Sequence, residues 1–152
     1  MIQIGFLEEG QYFDEAQEKL NEVEQLLSDA SVDQRGLYYY WQGHLYYKKE
    51  DYREALKTFQ VNPLPPFIWG ARSHARAQKL VEIGDQLQDE KWVLTYTELE
   101  SVDILQKRNN PDKAQLVLDS AKKRSGYDFE KNCSMRIKKL QSKLQREAKT
   151  KQ

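Results

Sequence analysis

Residues 36–60 read GLYYYWQGHLYYKKEDYREALKTFQ, and this stretch decides the fold. Tyr39, Gly43 and Tyr46 recur at spacings of four and three, which places them on one helical face. Lys48, Lys49, Glu50 and Asp51 interrupt the pattern with a polar break. Tyr52, Ala55, Leu56 and Phe59 then restart the same period, which predicts a second helix folded back on the first. Gly43 carries no side chain and permits a close approach, with Ala55 expected opposite it. The aromatic residues cannot all face inward, because successive helical residues point about 100° apart. Tyr39 and Tyr46 are the expected core pair. Leu37, Tyr40, His44, Tyr47 and Lys48 form a different stripe.

The same periodicity extends in both directions. Phe13, Ala16, Leu20, Val23 and Leu27 stripe a predicted helix from Asp14 to about Leu27. Phe13, Ala16 and Leu20 stand 39 positions before Tyr52, Ala55 and Phe59, so 1–30 reads as a partial repeat ahead of the best one at 36–62. Only nine residues precede the Gly10 break, too few for a full first helix, so the chain is expected to begin inside a repeat. Ser31 or Asp33 is the expected cap of the helix that follows. Pro63, Pro65 and Pro66 end the hairpin, since each lacks a donor and restricts its predecessor. An extra helix is predicted over 68–88. A diverged repeat follows over 92–124: one helix from Trp92 to about Lys107, a turn at Asn109-Asn110, and a second helix with Asn110 as cap and Pro111 at its first position. Ser125-Gly126 ends it, Gly126 being free to take positive φ. Residues 128–150 read as a last, capping helix opened by Phe129, with Asp128 as its cap and Phe129, Cys133, Ile137, Leu140 and Leu144 on one stripe.

Composition sets outer limits. The chain has 152 residues, one domain's worth, with 39% hydrophobic and 32% charged residues. Its net charge of zero hides two poles. Residues 1–34 hold nine acids against one lysine, and residues 121–152 hold eleven bases against three acids. These are either two solvated faces or surfaces that attract one another. A lone Cys133 excludes an internal disulfide and a cysteine metal cluster. No run approaches the roughly 20 apolar residues of a membrane-spanning helix. The start lacks the basic flank and apolar core of a secretory signal, so a cytoplasmic setting is expected.

Nothing in the sequence assembles a reaction centre. His44 and His74 lack metal-suited partners at i+3 or i+4. Cys133 sits on an apolar stripe, where a thiol is ordinarily core. No glycine-rich loop precedes a Lys-Ser or Lys-Thr pair. No catalytic residue, metal ligand or cofactor is assigned.

Two resemblances extend this reading. Tyr39, Gly43, Tyr46, Tyr52, Ala55 and Phe59, counted from Gly36, resemble the tetratricopeptide repeat. The chain departs from that pattern at Gln42, where leucine is usual, and at Asn62, where a second alanine is usual. The tail, KAQLVLDSAKKRSGYDFEKNCSMRIKKLQSKL, resembles the end of the tetratricopeptide repeat protein 39 and inclusion-body-clearance family at Gly126-Tyr127-Asp128-Phe129-Glu130 and Arg136-Ile137. The extra N-terminal repeats of that family have no counterpart here. The resemblances imply an adaptor without catalytic residues, in some members at organelle surfaces. They also imply that Leu37, Tyr40, His44, Tyr47 and Lys48 line a concave peptide-docking surface. The alternative is that this stripe packs on the 14–27 or the 68–87 helix.

The resulting expectation is an all-α, tetratricopeptide-like solenoid of about six helices with a C-terminal capping helix. Its expected role is a non-enzymatic protein-interaction scaffold or adaptor for a protein or peptide partner, with self-association open. The alternative is a peripheral binder of anionic membrane or nucleic acid, through Lys138, Lys139, Lys143 and Arg146 of the last helix.

Overall fold

A computed structural model describes residues 12–59 and 86–150, with side chains through 147. The predicted 68–88 helix lies almost wholly outside the described residues, as do Ile2, Ile4, Phe6 and Leu7. Among the described residues every regular element is helical: α1 Phe13–Glu24, α2 Val32–Lys48, α3 Tyr52–Phe59, α4 Trp92–Lys107, α5 Pro111–Ala121 and α6 Glu130–Thr150.

Local chemistry fixes the ends. Ser31 caps α2: its Oγ accepts from the Gln34 N–H at 3.2 Å, and Gln34 Oε1 accepts from the Ser31 N–H at 2.8 Å. That reciprocal pair satisfies two orphan donors of the first turn. Asp33 has a different task. Its Oδ1 accepts from the backbone N–H groups of Gln88, Asp89 and Glu90 at 3.1, 3.3 and 3.1 Å. The turn that leads into α4 is thereby pinned to the start of α2. Asn110 precedes Pro111 as expected but makes no side-chain cap bond. Gly126 does take φ +74°. The last helix begins one residue later than expected, and Phe129 itself sits at φ +63°.

α2 and α3 form one antiparallel hairpin, and α4 and α5 form another. Their turns close identically. Glu50 (φ +60°) donates to the Tyr47 carbonyl and Asp51 to the Tyr46 carbonyl. Asn109 (φ +53°) donates to the Gln106 carbonyl and Asn110 to the Leu105 carbonyl. This double closure, with a left-handed residue just past the helix end, satisfies the last carbonyls and reverses the chain. In each case the next helix starts two residues after the left-handed one.

The hairpins then pack together, α4 against both α2 and α3, while α1 covers α2 and α6 covers α4 and α5. α4 is therefore largely covered, and even its Thr95, Thr97, Glu98, Glu100, Ser101 and Gln106 are buried. A helix buried on most of its faces, with only the Trp92, Tyr96, Asp103 and Lys107 stripe partly open, is a centre rather than an amphipathic surface element. Within α2/α3, the side chain that meets Gly43 is the Phe59 ring, where Ala55 was expected. A Cβ on Gly43 would lie 2.4 Å from Phe59 Cε1. Tyr38, Tyr40, Gly43 and Leu45 are the buried residues of α2 together with Gly36, whereas the expected core pair Tyr39 and Tyr46 is only half-buried. Tyr38 and Leu45 join Ala16 and Leu20 of α1 in a small second core.

Candidate functional site

The stripe of α2 singled out by sequence is brought against α4, which is neither of the two packing partners weighed for it. Tyr40 is buried, its hydroxyl donating to Glu100 Oε1 at 3.3 Å. His44 Nδ1 lies 2.7 Å from the same oxygen. Tyr47 donates to Asp103 Oδ2 at 2.5 Å. Leu37 is half-buried beside the main core, and Lys48 is exposed. Most of the expected docking stripe is thus occupied by the chain's own α4.

Glu100 is 2% exposed, and its Oε2 has no hydrogen-bond partner among the described residues. A buried carboxylate oxygen without a donor is costly, which makes the Tyr40 and His44 contacts to Oε1 essential to its presence. Burial pushes the Tyr47 hydroxyl up to about 12, with the bond to Asp103 and its charge adding to the effect and Lys107 opposing it. The Lys107 ammonium lies 4.8 Å from the Tyr47 ring centre and 5.1 Å from that of Tyr52, a cation over two aromatic faces. Burial disfavours its charge, but the Tyr52 and Tyr47 hydroxyls and Asp103 outweigh that and raise its pKa.

A second buried carboxylate holds the other side of α4. Glu98, fully buried, accepts from Ser120 Oγ at 2.7 Å and from both ends of the Arg124 fork at 2.9 and 3.1 Å. The bidentate pair fixes the end of α5 against α4. Trp92 gathers Tyr40, Tyr96 and Phe129 edge-to-face around it, with ring centres 5.4, 5.4 and 6.0 Å away. Phe129 is 58% exposed, so this cluster reaches the surface at the start of α6. The Cys133 thiol is buried, and burial raises its pKa, as suits a packing residue.

α6 carries the predicted basic surface. Lys138, Lys139, Lys143 and Arg146 are all exposed, and Lys131 joins them; Cys133, Leu140 and Leu144 face inward. Lys143 also reaches to 4.0 Å from Asp103. Among the described residues no three His, Cys, Asp or Glu side chains converge as a metal site, and no helix is long and apolar enough to cross a membrane.

Sequence reading missed Glu98, Glu100 and Asp103. The available signal was three acids inside the apolar pattern Trp92, Tyr96, Leu99, Val102 and Leu105. No family model, curated protein or solved structure matches this chain.

Proposed function

We propose that the chain is a non-enzymatic protein-interaction scaffold or adaptor built from tetratricopeptide-like repeats and working in the cytosol, including at the cytosolic face of an organelle membrane. The observation that carries this reading is the equivalence of the two hairpins. Glu50 and Asn109 close them in the same way, 59 positions apart. At that offset, fully buried Ala55 matches Ala114 and fully buried Phe59 matches Leu118. The repeat unit is about 34 residues, so the surplus falls in the segment between the hairpins, where the sequence predicts an extra helix. Stacked hairpins extend by adding surface, and such surfaces serve as platforms.

With Tyr40 and Tyr47 held against α4, the partner surface in this reading is the aromatic edge at Trp92 and Phe129. Phe129 keeps an apolar ring exposed in a backbone conformation that is costly for any residue but glycine. Phe129→Gly relieves that strain and deletes the ring, and the lost edge contact with Trp92 offsets the gain, so folding is expected to be retained. Affinity capture with the full chain, followed by titration of the purified partner, tests the reading. Binding that weakens at least about tenfold in Phe129→Gly, about 1.4 kcal/mol, supports it. A chain that retains no partner, or a partner indifferent to this substitution, refutes the surface assignment; substrate turnover by the purified chain refutes the scaffold.

A second reading, peripheral binding to an anionic membrane or nucleic acid, is favoured by the exposed cations of α6. Co-sedimentation with anionic vesicles that is lost at high salt would select it.

A further inference from the structure

We propose that the acidic outward face of α1 in one copy of this chain docks on the basic outward face of α6 in another. This goes beyond the scaffold reading and does not depend on it, since it needs only the two faces.

α1 buries Ala16 and Leu20 against α2 and turns Asp14, Glu15, Glu18 and Glu22 to solvent. Glu22 is paired with Lys19 on the same helix at 3.0 Å, and Asp14 lies 3.6 Å from Lys49. Glu15 and Glu18 have no ion-pair partner among the described residues. At the other end of the helix order, α6 packs on α4 and α5. Its outer face presents Lys131, Met135, Lys138, Lys139, Ser142 and Arg146, all exposed. Lys131, Lys138 and Lys139 likewise make no ion pair among the described residues. The two acids of the helix stand off that face. Glu130 accepts from the Gly126 N–H at 2.9 Å, and Glu147 is half-buried.

Spacing matches as well as sign. Glu15 and Glu22 are seven residues apart, as are Lys131 and Lys138, and Lys139 and Arg146; seven residues of helix rise about 10.5 Å. Two such helices laid side by side bring rows of opposite charge into register. A lipid surface is a poorer fit, because Met135 is the one exposed apolar side chain from Lys131 to Arg146, and only Phe129, just ahead of the helix, adds an exposed aromatic ring beside it. A nucleic acid would satisfy α6 and be repelled by α1. A second copy satisfies both. Because the two faces differ, the contact is heterologous, so one association leaves a further face free unless two copies exchange both.

The test is sedimentation of the nuclease-treated full chain, at about 100 μM, in about 20 mM and about 500 mM salt, between which the screening length falls from about 20 Å to about 4 Å. The low-salt mass is expected to exceed the 18.0 kDa monomer by about twofold or more and to return to it at high salt. Two charge-reversed proteins complete the test. One carries Glu15→Lys, Glu18→Lys and Glu22→Lys; the other carries Lys131→Glu, Lys138→Glu and Lys139→Glu. These are exposed helical positions where Lys and Glu have similar propensity, so both are expected to fold. Each alone should stay monomeric in low salt, and an equimolar mixture should associate again, because opposite faces then meet. A wild-type chain that is monomeric in low salt overturns the proposal. So does association that survives in either variant alone, a mixture that stays monomeric, or association seen only before nuclease treatment, which would assign the α6 face to nucleic acid.

Discussion

His44 Nδ1 lies 2.7 Å from Oε1 of Glu100, and with the Tyr40 hydroxyl it ties α2 to a carboxylate that is almost wholly buried on α4. Truncating His44 to alanine leaves that carboxylate with one donor. The expected loss is about 1–3 kcal/mol of unfolding free energy, the usual cost of stranding a buried polar group. Replacing His44 and Glu100 by leucine together with Tyr40→Phe is expected to cost less than His44→Ala alone, since neither a stranded acceptor nor a stranded donor then remains at this contact. Urea unfolding of the two variants measures this. A His44→Ala protein as stable as the parent would mean that the contact is absent in solution.

Gly43 and Phe59 should behave as one unit. A methyl group on Gly43 would sit 2.4 Å from the Phe59 ring, so Gly43→Ala forces the α2/α3 hairpin apart. Overpacking of this kind costs about 1–3 kcal/mol, and Gly43→Leu more. Phe59→Leu removes the ring edge that clashes. In the double variant the two costs are therefore expected to fall short of their sum by about 1 kcal/mol in a thermal or urea cycle. Strict additivity would separate the two residues and undo the hairpin packing.

The helices were legible because their signals are local. The break at Lys48–Asp51, the Asn110-Pro111 start and the stripes at three and four residues all sit within one or two turns of what they predict. Which faces meet was harder. In Tyr38-Tyr39-Tyr40-Trp41 every direction is aromatic, so period alone could not tell that Tyr38 would enter the α1 core and Tyr40 the α4 contact. Nothing local to Glu98 and Glu100 announces that Arg124 and His44 will reach them across 26 and 56 residues. Asp33 shows the same limit. Read as a helix cap, it spends its oxygen on three amides more than 50 residues away.

Asp33 supplies a test of that long connection. Ser31→Ala removes an ordinary cap and is expected to cost about 1 kcal/mol. Asp33→Ala removes the acceptor of three N–H groups and leaves the entry to α4 untied. The expected cost is about 1–3 kcal/mol, at or above that of Ser31→Ala. Asp33→Asn keeps a neutral acceptor oxygen and should recover part of the loss. Amide exchange at Gln88, Asp89 and Glu90 should quicken in Asp33→Ala and stay near the parent rate in Ser31→Ala. Equal exchange in both would show that the turn is held by something else.

Alkaline pH should loosen the α2–α4 contact through Tyr47. Its hydroxyl, ordinarily near 10.0, is raised to about 12 in the folded chain by burial and by Asp103. A group whose folded pKa lies above its unfolded one contributes stability that is complete below the unfolded value and is lost as pH climbs through the folded one. The window is therefore pH 10 to about 12. Burial raises Tyr96 and Tyr127 in the same direction, and the Lys107 shift has the same sign, so the whole chain should weaken on the alkaline side. Tyr47→Phe separates the contributions. At neutral pH it gives up the bond to Asp103, a loss of about 1 kcal/mol. Across the alkaline window its stability should fall less steeply than that of the parent, so the two curves converge. Unfolding free energies measured in urea from pH 8 to about 11.5 read this directly, with absorbance near 295 nm reporting tyrosinate. Parallel curves for Tyr47→Phe and the parent would mean that Tyr47 titrates as it does in the unfolded chain, and that its hydroxyl is not held by Asp103.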